Sequence, residues 1–142
     1  MSAVRPLRSL ANVAPLHPIR LLLVGGDARW LRAVDFLLTM RGYETRRAAP
    51  AASLVREATR FDADVVVVDA SRGFAQAARR AGELAATLAD LGVVVAAERE
   101  LPRASERTRF VEKWAPFEAL AEAIEQVWAE LPPRPTLRAI AQ

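Results

Sequence analysis

Four consecutive valines, Val65 to Val68, run into a single acid, Asp69, and this segment constrains the fold more than any other. A strand with one wet face alternates apolar and polar side chains. An unbroken β-branched run belongs instead to a strand covered on both faces, as in a parallel sheet between two helical layers. Val93 to Ala97 repeats the pattern, and Arg20 to Val24 gives a third apolar run, which ends at Gly25-Gly26. Phe110 to Lys113 is a shorter one, and Tyr43 to Ala48 is polar enough to be an edge strand.

Helical periods fall between these runs. Asp27 is placed to cap a helix carrying Leu31, Val34, Leu37 and Leu38 on one face, which Gly42 ends. Leu54, Val55, Ala58 and Phe61 mark a second helix with Pro50 near its start. Phe74, Ala77, Ala78, Ala81, Leu84, Ala85 and Leu88 mark a third that Gly92 breaks, and Phe117, Leu120, Ile124, Val127 and Leu131 line the last. Strands alternating with helices predict a parallel sheet covered on both sides, with ligands and chemistry gathered beyond the carboxyl ends of the strands. Those ends hold Gly25, Gly26, Asp27, Asp69, Ala96, Ala97 and Lys113.

At 142 residues and 52% apolar, the chain is long enough for one self-sufficient domain, expected over 19–131 between a flexible leader (1–18) and a C-terminal tail (132–142). It has no cysteine, which removes disulfides, thiolate metal sites and a cysteine nucleophile. No apolar run approaches the roughly 20 residues that span a bilayer, so a soluble, cytoplasmic protein is expected, with no membrane partner. The net charge of +3 lies wholly in residues 1–26, which hold Arg5, Arg8 and Arg20 and no acid; residues 27–142 hold 17 bases and 17 acids. The local basic pairs, Arg46-Arg47 and Arg79-Arg80, are too small for a counterion-displacing nucleic-acid face. A nucleic-acid partner is not expected. His17, between prolines in the leader, is not expected to be catalytic.

Nineteen of the twenty basic residues are arginine, and the one lysine is Lys113. An ammonium is a compact point charge suited to a single oxyanion, where guanidinium favours bidentate pairing. With Asp69, it places an acid and a lysine together at strand carboxyl ends.

From about Ile19 to Leu131 the chain resembles the receiver domain of two-component response regulators, the CheY-like superfamily, as an atypical member. The resemblance rests on Leu21-Leu22-Leu23-Val24 opening into a helix that ends Arg41-Gly42-Tyr43-Glu44, on Phe61-Asp62-Ala63-Asp64-Val65-Val66-Val67-Val68-Asp69, and on Phe110-Val111-Glu112-Lys113 running into Phe117-Glu118-Ala119-Leu120. It implies a flavodoxin-like (βα)5 three-layer sandwich with a parallel five-stranded sheet. It places Asp69 at the phosphoacceptor position, Lys113 at the phosphoryl-contact position, and Ala96 and Phe110 at the two switch positions. The departures are specific: Gly25 and Gly26 replace the family's metal-holding acids, Ala96 its switch hydroxyl, and Trp114 the proline after the lysine.

Phosphoryl transfer to a carboxylate needs a divalent cation, and Mg²⁺ is usually anchored by carboxylates. The resemblance therefore implies a regulatory domain acting through protein–protein contact, independent of Mg²⁺-dependent aspartyl phosphorylation. No enzymatic activity, cofactor or resident metal is expected. Asp69 and Lys113 are expected as an ion pair of partly buried charges, with Asp27 spent on capping its helix. The Lys113–Trp114 bond is expected to be trans, because a non-proline cis bond costs about 3 kcal/mol. Only 16 residues separate Ala96 from Lys113, so the family's fourth helix is expected shortened or absent. Trp114 and Arg107, in that altered region, are the expected contact residues for a protein partner or a homodimer. Two alternatives stand beside this reading: a phosphorylatable single-domain regulator using Asp69, and a sensor of a small anion at the Gly25-Gly26 turn, where backbone amides precede a helix.

Overall fold

The computed structural model describes residues 18–49, 52–71, 73–98 and 107–132. Nine elements follow one another: β1 (Arg20–Val24), α1 (Ala28–Met40), β2 (Glu44–Ala48), α2 (Leu54–Phe61), β3 (Val65–Asp69), α3 (Phe74–Thr87), β4 (Gly92–Ala97), β5 (Thr108–Glu112) and α4 (Phe117–Glu130). All strand pairs are parallel, in the order β2-β1-β3-β4-β5. The polar strand β2 is an edge, as its composition predicts, and the valine runs of β3 and β4 lie inside.

Alternate residues of each inner strand enter opposite cores. Leu21, Leu23, Val65, Val67 and Val94 meet Leu31, Val34 and Leu38 of α1 and Leu120, Ile124, Val127 and Trp128 of α4. Leu22, Val24, Val66, Val68, Val93 and Val95 meet Leu54 and Ala58 of α2 and Ala77, Ala81 and Leu84 of α3. This is the α/β sandwich expected of the sequence. Gly92 begins β4, and a Cβ there would come within 1.9 Å of Val127, so its role extends beyond stopping a helix.

One sequence expectation needs adjustment. Leu37 is not a core residue: it is 39% exposed while Leu38 is fully buried, because it lies about 100° round α1 from Leu38, off the stripe formed by Leu31, Val34 and Leu38. The fourth helix of the resemblance would fall in 99–106, which, like the leader before Pro18 and the tail after Pro132, lies outside the described residues. No helix among the described residues is long and apolar enough to cross a membrane.

Candidate functional site at the carboxyl edge of the sheet

The ends of β1, β3 and β5 bring Asp27, Asp69 and Lys113 together. Register fixes two of the three: Asp69 lies opposite Ala96, Ala97 lies opposite Glu112, and the Lys113 amide donates to Ala97 O at 2.7 Å. Asp27 arrives by way of the turn that opens α1. The Lys113 ammonium is buried between the acids, 2.8 Å from Asp27 Oδ2 and 3.1 Å from Asp69 Oδ1. Its Nζ also lies 5.4 Å from the Trp30 ring centroid and 5.1 Å from that of Trp114, so two indole faces complete the cage.

The Asp69 carboxylate has no exposed side-chain surface, and its acceptor capacity is filled. Oδ1 accepts from Lys113 Nζ and from the Ser71 amide at 3.1 Å; Oδ2 accepts from the Asp27 amide at 3.0 Å and from Ser71 Oγ at 2.9 Å. Four donors match the roughly four lone-pair positions of an ionised carboxylate. Ser71 and the Asp27 amide were not singled out in the sequence; an Asp-x-Ser spacing was the available signal, since Asx turns bond two residues on.

Asp27 does two jobs. Oδ1 accepts the Trp30 amide at 3.1 Å as the N-cap of α1, and Oδ2 takes the lysine. The expectation that capping would occupy this side chain is corrected, because the two carboxylate oxygens divide the tasks. The hydrogen bond from Lys113, then that from the Trp30 amide, hold the Asp27 carboxyl below its ordinary value. Burial acts against the Lys113 charge, but its bonds to Asp27 and Asp69 together outweigh that and raise its pKa above the ordinary lysine value.

Gly25 is more than a missing acid. A Cβ built on it would lie 2.2 Å from Asp69 Cβ and 2.9 Å from Oδ2, so the first loop rests directly on the aspartate. Receiver-like chemistry implies Mg²⁺, and this donor set does not fit it. The lysine sits between the two carboxylates, Asp69 has no lone pair to spare, and no cluster of three potential ligands occurs among the described residues.

The switch positions are equally specific. Ala96 is fully buried and offers no hydroxyl, its carbonyl accepting the Ala70 amide at 2.9 Å. Phe110 packs on Phe74, with ring centroids 5.9 Å apart. The Lys113–Trp114 bond is trans, as expected, since no cis peptide occurs among the described residues. Trp114 is 65% exposed, and its Nε1 donates to Glu98 at 3.0 Å.

Arg107 is placed differently from its expected role as a contact residue. Its guanidinium turns inward and donates to Ala85 O, Leu88 O and Leu91 O at 2.8–3.0 Å, closing the carboxyl end of α3. Ala85 O belongs to the last turn of α3, and Leu88 O and Leu91 O to the turn that follows, where Leu88 O also accepts the Leu91 amide at 3.3 Å; the planar fork reaches all three. Arg109 pairs with Glu130, and Glu118 with Arg41. Three members of the sequence's basic pairs are also engaged: Arg46 lies over Phe61, Arg47 pairs with Asp35, and Arg80 donates to Ala52 O.

No protein-family model and no curated protein matches the sequence. Solved structures do match. The chain is similar to the CheY-like receiver domain of Methanospirillum hungatei (14% identity, 80% of this chain and 95% of that one, TM-score 0.61). It is similar to the response regulator TrrA of Thermotoga maritima in complex with Mg²⁺-BeF (21%, 76% and 97%, 0.59). TrrA also matches in its complex with the histidine kinase ThkA (20%, 76% and 97%, 0.59). With five parallel strands in the same arrangement, the chain has the fold of the response-regulator receiver domains.

Proposed function

We propose that this chain is a receiver-like signalling domain that works by binding a protein partner, with Asp69 and Lys113 as a structural lock in place of a phosphorylation site. The observation that carries this reading is the saturated Asp69 carboxylate, whose four acceptor positions are filled from within the chain. A nucleophilic carboxylate needs a free oxygen facing the donor and a cation offsetting the incoming charge. Here the ammonium takes the cation's place, and every oxygen lone pair is already bonded. Ala96 and the Phe110–Phe74 contact leave no hydroxyl-driven switch to report a modification.

Binding is the mode open to such a domain. TrrA is seen with a histidine kinase, and a protein partner for this chain is proposed by analogy. Trp114, exposed beside the lock, is the contact residue of choice, because an exposed tryptophan combines large apolar area with a directed hydrogen bond. Arg107 is withdrawn from that surface by its helix-capping role.

The test is incubation with acetyl phosphate and Mg²⁺, followed by intact-mass measurement and tryptophan emission. An unmodified mass and flat emission through the low-millimolar Mg²⁺ range are expected, Trp30 and Trp114 being the reporters. A phosphate adduct that Asp69→Asn abolishes would overturn the proposal and establish a phosphorylatable regulator instead. Saturable binding of inorganic phosphate without an adduct would favour the anion-sensor alternative at Gly25-Gly26.

A further inference from the structure

Helices α1 and α4 cover one side of the sheet and share its core, and their outward faces carry opposite charge. On α1 the exposed Arg29, Arg32, Ala33, Phe36, Leu37 and Met40 recur at helical spacing, opposite the buried Leu31, Val34 and Leu38. The one acid of α1, Asp35, is turned toward β2, where Arg47 and Thr45 hold it. On α4 the exposed Glu118, Glu122 and Glu125 form a stripe at i, i+4 and i+7, and the helix contains no base.

Each stripe repels itself, because like charges three or four residues apart on a helix oppose one another. Arg29 and Arg32 have no ion pair among the described residues, and the one ion pair there that joins the two helical segments is Arg41–Glu118. Beside these charges lies apolar surface: Phe36 is 63%, Leu37 39% and Met40 72% exposed. Three such neighbours near the end of one helix form a contiguous patch rather than scattered exposure. An apolar centre within a charged rim is the anatomy of a protein interface.

A second copy of the same layer satisfies both helices at once. A two-fold axis running along and between them lays α1 of each copy over α4 of the other. Basic stripe then meets acidic stripe twice, and both apolar patches are covered. A partner of a single charge sign would complement one helix and repel the other.

We infer that the chain pairs with a second copy of itself through the outer faces of α1 and α4, a surface that leaves Trp114 to a different protein.

Sedimentation velocity of the full chain should show twice the chain mass, reverting to the monomer on dilution and as salt rises. Arg29→Glu/Arg32→Glu turns the α1 stripe acidic, and Glu122→Arg/Glu125→Arg turns the α4 stripe basic. Each variant alone should be monomeric with an unchanged circular dichroism spectrum, and an equimolar mixture of the two should recover the dimer. Phe36→Ser/Met40→Ser should weaken association by about tenfold or more, and Trp114→Ala should leave it unchanged. A parent chain that is monomeric at every concentration overturns the inference and leaves the face to another protein. A dimer that survives both charge reversals, a mixture that stays monomeric, or a dimer that Trp114→Ala abolishes overturns it as well.

Discussion

The two ends of β5 carry two cations, the half-buried Arg107 and the buried Lys113, and they are used in opposite ways. Before the strand, Arg107 spreads its guanidinium over one carbonyl in the last turn of α3 and two in the turn that follows it. After the strand, Lys113 inserts a single ammonium between two carboxylates. Neutral carbonyls fanned around a helix end and the turn after it are met by several donors in fixed directions, which the planar fork provides. Two acids converging on one point need a compact charge. A chain with nineteen arginines and one lysine thus places its lysine where a fork would not fit.

The comparison predicts that the lysine end is the costlier to break. Lys113→Ala leaves Asp69 buried and negative with no counter-charge, and a loss of about 3 kcal/mol is expected from urea unfolding. Lys113→Arg should recover only part of it. If the arginine variant is as stable as the parent, the distinction between point charge and fork is wrong at this site.

The packing on Asp69 gives the next effect. Gly25→Ala forces a methyl against Asp69 Cβ, and about 2 kcal/mol of destabilisation is expected, in the range for overpacking. Gly25→Asp should likewise destabilise rather than create a Mg²⁺ site. A stable Gly25→Asp protein with Mg²⁺-sensitive tryptophan emission would show that the first loop yields, and that its closeness to Asp69 is not imposed.

At the arginine end, the side chain and the backbone pull apart. Arg107 has φ +62°, a conformation that costs a non-glycine residue about 1 kcal/mol. Arg107→Ala loses the three carbonyl contacts and keeps that cost; Arg107→Gly loses the same contacts and sheds it. Both should destabilise, alanine by about 2 kcal/mol and glycine by about 1 kcal/mol less. Equal values would mean that the guanidinium, and not the turn, sets the energetics.

Much of this was legible in the sequence, and the losses have a common origin. Valine runs announce two-sided burial, so β3 and β4 and the sheet type follow from local pattern. The pairing of Asp69 with Lys113 follows from both lying at strand ends in a parallel sheet. Gly25 reads as a deleted acid, because its contact with Asp69 exists only once β1 and β3 are side by side in register. Arg107 gives no signal either: a left-handed non-glycine residue and a guanidinium aimed at carbonyls 16 to 22 residues back are tertiary facts. Asp27 was half legible, since capping is local and the lysine contact spans 86 positions.

The smallest effect is the pH dependence of the lysine end. Asp27 has its carboxyl pKa lowered in the folded protein, by the Lys113 hydrogen bond first and the Trp30 amide next. Its stabilisation is therefore complete above the ordinary carboxylate value near 4, and is lost as pH falls through the lower folded value. Lys113 has its pKa raised, its two carboxylate bonds together outweighing burial. That stabilisation is complete below the ordinary lysine value of about 10.4, and is lost as pH rises through the higher folded value. The contribution of the pair should thus be flat across the neutral range and fall at both extremes. Because Asp27 is 30% exposed, solvent screening keeps its share modest. Asp27→Asn removes the titrating group while its side-chain oxygen still caps α1, so it should shallow the acid limb of a Tm-against-pH profile and leave the Arg107 end untouched. An acid limb identical in parent and variant would move that sensitivity to other carboxylates and leave Asp27 as a cap alone.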